Sequence, residues 1–85
     1  MQPVQDILNR IRWDHVYAVA DFEIGYYDRI EDRVIRIPFS ALSFPADDHF
    51  AFKLLDSQGE AHRVPFHRVR EIHRNGRCIW SRQRH

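Results

Sequence analysis

VPFHRVREIHRNGRCIWSR, residues Val64–Arg82, sets Asn75-Gly76 between two runs rich in β-branched and aromatic side chains. Asn-Gly supplies the two positive φ angles that a type I′ turn requires, so the spacing predicts a two-residue β-hairpin. With Arg74 opposite Arg77, the ladder pairs His73 with Cys78, Ile72 with Ile79, Glu71 with Trp80 and Arg70 with Ser81. Side chains alternate along a strand. One face then carries Ile72 and Ile79 with Arg70, Arg74 and Arg77 toward its ends, and the other carries Val69, Trp80, Cys78 and His73. Either face can serve as an anion surface.

Eighty-five residues are expected to make a single domain (1–85), which buries roughly 60% of its surface on folding. A lone cysteine, Cys78, rules out an internal disulfide and a cysteine-based zinc site. This usage fits a reducing, cytoplasmic setting. No stretch of about 18 apolar residues and no signal-length apolar run occur, so a soluble chain without membrane contact is expected.

The net charge of +1 hides an asymmetry. Met1–Asp48 holds five Arg and nine Asp/Glu, a balance of −4, whereas His49–His85 holds eight Lys/Arg and three Asp/Glu, a balance of +5. Arg outnumbers Lys twelve to one. The guanidinium fork binds phosphate at two oxygens, which an ammonium cannot do; genomic base composition accounts for the same bias equally well.

Outward from the hairpin, Val4, Ile7, Leu8 and Ile11 follow helical apolar spacing behind Pro3 and Asp6, predicting a helix over about 3–12. Tyr17–Tyr27 reads as a strand with Phe22, Ile24 and Tyr26 on one side. A polar turn over 28–33 leads to a second strand, Val34–Ile37, ended by Pro38. Phe39–Phe44 is open between a helical turn and a strand, and 45–48 is a loop. Phe50–Leu55 and Glu60–Val64 pair around Asp56-Ser57-Gln58-Gly59. The sheet thus occupies about 17–82, and the tail 83–85 reads as frayed. The expected class is α+β, a small, mostly antiparallel five- to six-stranded sheet or partly open barrel covered by one N-terminal helix.

Three groups can carry chemistry. His67-Arg68, just after Pro65-Phe66, suits a terminal phosphate, the Arg by a forked contact and the His as donor; the plain alternative is a capping His beside a solvated Arg. Tyr27-Asp28-Arg29 ends the first strand, where Asp28 either orients a basic partner or begins a turn. Among the aromatics most must be core, and Tyr27 and Trp13 are the better stacking platforms for a base. No His spacing matches a metal-ligand pattern, and no Gly-rich phosphate loop or activated nucleophile is present. No catalytic residue, metal or cofactor is therefore assigned. Histidine acid–base cleavage of RNA stays open as a minor alternative.

Read in order, Ile7-Leu8-Asn9-Arg10-Ile11-Arg12-Trp13, Phe22-Glu23-Ile24, Tyr27-Asp28-Arg29, Ile37-Pro38-Phe39, Pro65-Phe66-His67-Arg68-Val69-Arg70-Glu71-Ile72 and Gly76-Arg77-Cys78-Ile79-Trp80-Ser81-Arg82 resemble the RNA cyclic group end recognition domain family. Val69 stands where Ile is commoner, and the Phe44–His49 loop has no counterpart. The family occurs alone or appended to enzymes of RNA repair and processing. The resemblance implies recognition of RNA termini, in particular a 2′,3′-cyclic phosphate or its opened product, and the expected function is binding without catalysis. It carries over Arg10, Trp13, Asp28, Arg29, His67, Arg68, Trp80 and Arg82 as motif positions. The expected site is His67, Arg68, Arg29, Asp28, Tyr27, Arg10, Trp13 and Arg82. The expected partners are RNA termini and an RNA-repair or RNA-processing enzyme; a histidine-dependent phosphodiesterase and a protein-interaction module are the alternatives.

Overall fold

A computed structural model of the chain describes residues 3–82. The tail 83–85, read above as frayed, lies outside the described residues. Helix α1 (Val4–Trp13) buries Val4, Ile7, Leu8 and Ile11, the stripe that the apolar spacing predicts, and carries Asp6 in its first turn and Arg10 and Arg12 in its last. At ten residues it is too short to persist alone in water. Its buried stripe on the two sheets holds it.

Strands β1 (Phe22–Asp28), β2 (Arg33–Pro38), β6 (Val69–Arg74) and β7 (Arg77–Ser81) form one antiparallel sheet in the order β2-β1-β6-β7. Strands β3 (Leu42–Ser43), β4 (Ala51–Leu55) and β5 (Ala61–Pro65) form a second, in the order β3-β4-β5. The α+β class with its antiparallel strands and N-terminal helix is as expected. The strands divide into two sheets that do not close into a barrel. Single 3₁₀ turns, Phe39–Ala41 and Phe66–Arg68, each follow a proline and carry the chain from one sheet to the other.

Two expectations are corrected. The first strand begins at Phe22 and not at Tyr17, because Asp14 Oδ1 accepts the amides of Val16 and Tyr17, both at 3.1 Å, and turns the backbone away from extension. These bonds, that of Tyr17 first, hold the Asp14 carboxyl below its ordinary pKa. The hairpin turn is as predicted, with φ of 50° at Asn75 and 81° at Gly76. Its ladder keeps Arg74↔Arg77 and His73↔Cys78 and then slips, so that Ile72 faces Trp80 and Glu71 faces Ser81. The bulge leaves Ile79 unpaired and 36% exposed, and turns Trp80 inward to 7%. Burying the larger indole favours this arrangement over the uniform ladder.

The core joins α1 to Phe22, Ile24, Tyr26, Phe52, Leu54, Val64, Val69, Ile72 and Trp80. A file of rings runs through it: Tyr17–Phe22 at 5.5 Å, Phe22–Phe39 at 6.5 Å, Phe39–Phe44 at 5.5 Å, Phe44–Phe52 at 6.3 Å and Phe52–Phe66 at 6.0 Å. This file crosses from the first sheet to the second, and Phe52 in it is fully buried.

Gly25 marks a second bulge, where β1 pairs with Glu71 and then with Val69, leaving Arg70 without a partner in β1. The Glu71 side chain lies across Gly25, and its Oε1 is 3.1 Å from His73 Nε2. A Cβ at position 25 would come within 2.6 Å of Glu71 Cγ and 2.9 Å of Val34 Cγ1. Gly25→Ala should therefore lower stability by about 1–3 kcal/mol, the usual cost of overpacking. Urea unfolding followed by circular dichroism measures this; an unchanged midpoint would show that Glu71 and Val34 give way to the extra methyl without cost.

Candidate nucleic-acid interface

The polar turn after β1 is built on Asp28, whose Oδ1 accepts the amides of Ile30 at 2.8 Å and Glu31 at 3.1 Å. This is an Asx turn, so Asp28 takes the turn-forming role and fixes the backbone that carries Arg29. Across the seam between the sheets, the Asp56–Glu60 turn is capped in the same way, Asp56 Oδ1 accepting from Gln58 at 2.8 Å and Glu60 at 2.9 Å. Between the two turns lies an open cleft of about 410 Å³, lined by Tyr26, Asp28, Arg29, Ile30, Leu54, Asp56, His62, Arg63, Val64 and Arg68. The Phe66–Arg68 turn supplies the last of these from the end of β5.

The cations in this cleft differ in availability. Arg63 is committed, with Nε 2.8 Å and Nη2 3.3 Å from the Asp48 carboxylate; this pairing holds Asp48 below and Arg63 above their ordinary pKa values. Neither Arg29 nor Arg68 has an ion pair or a side-chain hydrogen bond among the described residues. His62 Nε2 lies 2.8 Å from Asp56 Oδ2. That bond raises the His62 pKa above 6.5 and lowers that of Asp56 below 3.8. With Nε2 turned to Asp56, Nδ1 is the ring nitrogen left for a ligand. Tyr26, 9% exposed, has its phenol pKa raised by burial first and then by Asp28 and Glu31, so its hydroxyl stays protonated. Two unpaired guanidiniums, an imidazole biased toward its cation and a phenol on the lining make a site for an anion.

Of the residues singled out in the sequence, Asp28, Arg29 and Arg68 line this cleft together. The others do not. His67 is exposed on the adjoining turn, and its backbone carbonyl accepts from Arg70 Nη1 at 2.7 Å and Arg82 Nη1 at 2.8 Å. Arg82 also lies 5.2 Å from the Trp80 ring, so it clamps the turn and does not face the cleft. Tyr27 points to the other side of β1, where its hydroxyl donates to Asp32 and its ring lies under the Arg70 guanidinium at 5.8 Å. Arg10 sits 3.9 Å over the Tyr17 ring and 3.8 Å from Asp14. Trp13 lines a different groove, beside Phe44 and His49.

His62, Asp56 and Tyr26 also line the cleft, and the sequence does not single them out for it. Asp56 and His62 are six positions apart, and only the β4–β5 hairpin register, Leu54↔His62 and Leu55↔Ala61, brings them together. One group among the described residues has the composition of a cation site: Asp56, Glu60 and His62 have ligand atoms within 4.8 Å of one another. Both Asp56 oxygens are already engaged, by the turn amides and by His62, and the cluster is accounted for as a turn cap. A wider hollow of about 740 Å³ beside the Asn75-Gly76 turn is lined by Asp21 and Glu23 and by no arginine, which suits no phosphate. Among the described residues no helix is long and apolar enough to cross a membrane.

Comparison with known proteins adds the lineage of this arrangement. A UPF0248 protein of Saccharolobus solfataricus is 28% identical over 82 residues, spanning 93% of this chain and 95% of that protein. No solved structure matches the chain. The family model of the MJ1316 RNA cyclic group end recognition domain matches residues 1–82, all but the last three positions. The chain belongs to the MJ1316 RNA cyclic group end recognition domain family.

Proposed function

We propose that the cleft between the β1–β2 turn and the β4–β5 turn binds the terminal phosphate of an RNA, a 2′,3′-cyclic phosphate or its opened product, without cleaving it. The observation that carries this reading is the convergence on one cleft of Arg29 and Arg68, both without carboxylate partners among the described residues, with His62 beside them. The family name, which specifies recognition of RNA cyclic group ends, supports the same reading. Arg29 and Arg68 take the non-bridging oxygens, and His62 donates from Nδ1 when protonated. The Tyr26 hydroxyl is a further donor. Asp28 serves by holding the loop. A place in RNA repair or processing, in the company of an enzyme of that pathway, follows from the end chemistry, since cyclic phosphates are left by RNA cleavage and must be opened or resealed; the single cysteine fits a reducing compartment.

Hydrolysis of the cyclic ester is the second reading, and its base is His62 and not His67, because only His62 lines the cleft with a carboxylate behind it. Water would attack phosphorus as its proton passes to Nδ1, and the bond to one ribose oxygen would break as that oxygen regains the proton. Incubation of the pure protein with cyclic-ended RNA should give no turnover; a steady release of opened monoester that is lost in His62→Gln would establish this second reading in place of the first.

For the binding reading, matched RNAs ending in cyclic phosphate, 3′-phosphate or 3′-hydroxyl are compared by fluorescence anisotropy. The 3′-hydroxyl RNA should bind weakest, and Arg29→Ala and Arg68→Ala should each cost about 1.5–3 kcal/mol on the phosphorylated ends, the scale of a charge-assisted hydrogen bond. The salt slope should fall by about 0.7 for each phosphate contact removed. Equal affinity for all three ends would refute end recognition.

The pH dependence follows from His62. Its pKa is raised in the folded protein, so the stabilisation from its pair with Asp56 is fully present below pH 6.5 and is lost as pH rises through the raised value. From the Asp56 side the same pair is lost on acidification, as pH falls through that lowered carboxyl pKa. An NMR titration of the His62 ring should show a midpoint above 6.5, returning toward 6.5 in Asp56→Asn. Phosphate-end binding should weaken through the same pH interval. A wild-type midpoint at or below 6.5 would mean that Asp56 does not hold the imidazolium.

A further inference from the structure

The groove between α1 and the Phe44–His49 segment has no role in the phosphate reading. It holds about 440 Å³ and is lined by Gln5, Asn9, Arg12, Trp13, Phe44 and His49 among others. Trp13 is 69% exposed, a large apolar surface for a chain of this size to leave in water. Beside it the Arg12 guanidinium lies 5.0 Å from the Trp13 ring and 4.4 Å from the Phe44 ring. Among the described residues Arg12 has no ion pair. The side-chain amide of Asn9 has no partner among them either. Gln5 Nε2 donates weakly to the His49 carbonyl, at 3.3 Å.

This groove and the phosphate cleft share a wall. Arg63 lines the cleft, and the carboxylate it grips, that of Asp48, lines the groove. The Phe66–Arg68 turn likewise gives Phe66 to the groove and Arg68 to the cleft, with His67 exposed between them. A strand whose terminal phosphate occupies the cleft reaches the groove by crossing this wall.

We infer that the groove is a nucleobase subsite for a nucleotide at or next to the RNA end, with Trp13 as its stacking platform. This rests on the phosphate reading for the direction of the strand. A flat exposed indole, an unpaired guanidinium held against aromatic rings, and an amide able both to donate and to accept suit a base with its phosphate. An apolar peptide side chain would use the indole and leave the cation and the amide unmatched.

The test uses the full chain with a trinucleotide ending in 2′,3′-cyclic phosphate, the same trinucleotide with abasic residues in place of its bases, and a 3′-hydroxyl trinucleotide. Affinity and tryptophan fluorescence are read together. The base-bearing cyclic RNA should quench Trp13 emission and bind more tightly than the abasic one. Trp13→Ala should lose about 5- to 150-fold on the base-bearing RNA, the range set by one base–aromatic stack, and little on the abasic RNA. Trp13→Phe should retain most of the affinity. Equal binding of base-bearing and abasic RNAs by the wild-type chain would overturn the subsite, whatever the variants do. Should the 3′-hydroxyl RNA bind as well as the cyclic one while bases still matter, the phosphate reading falls and the base subsite stands.

Discussion

Phe52 is the point on which the two sheets depend. It is fully buried in β4, with Phe44 on one side and Phe66 on the other, and the ring file continues through Phe39 and Phe22 into the first sheet. A three-stranded sheet whose third strand is two residues long cannot stand by itself. Contacts through these rings, with α1 in the same buried cluster as Leu54 and Val64, give it a partner. The candidate cleft exists because of this junction. One wall, Tyr26 to Ile30, belongs to the first sheet, the other, from Leu54 to Val64, to the second, and Arg68 comes from the turn that joins them. Site and core are consequently coupled: anything that loosens the ring file separates the guanidiniums from the imidazole.

The uneven charge along the chain acquires a structural meaning. Asp14, Asp28, Asp48 and Asp56 each accept the backbone amide two residues further on, so each fixes a turn. Their charge is spent on backbone amides and, for Asp48 and Asp56, on Arg63 and His62. The arginines are divided in the same way. Arg70 and Arg82 converge on the carbonyl of His67 and hold the turn, while Arg29 and Arg68 have no ion pair among the described residues. A net charge of +1 thus coexists with two guanidiniums in one cleft that have no ion pair among the described residues. In such a place a phosphate gains from direct forked contacts more than from a long-range field.

Much of the fold could be read from local chemistry. The Asn-Gly turn, the helical stripe from Val4 to Ile11 and the strand alternation at Phe22, Ile24 and Tyr26 depend on a few neighbouring residues, and they are found where the pattern places them. Bulges are different. The slip that trades Ile79 for Trp80 changes no composition and is decided by which side chain the core accepts. The division into two sheets is likewise tertiary, since the proline-led 3₁₀ turns read locally as simple interruptions. For the candidate site, Asp28-Arg29 and Arg68 carried a signal in their residue types. Tyr27, Arg10 and Arg82 carried the same signal, and the structure commits them elsewhere. His62 gave none, because its partner lies across a hairpin whose register pairs them only once folded.

The proposed seat of the RNA end is the seam between the sheets. Mapping amide shifts of the uniformly labelled chain on titration with a nucleoside 2′,3′-cyclic phosphate locates it most directly. Saturable shifts should be largest at Asp28–Ile30, His62–Arg63 and Arg68, on both walls of the cleft. Shifts centred on the Asn75-Gly76 turn or the outer face of β7, or none that saturate, would contradict the account.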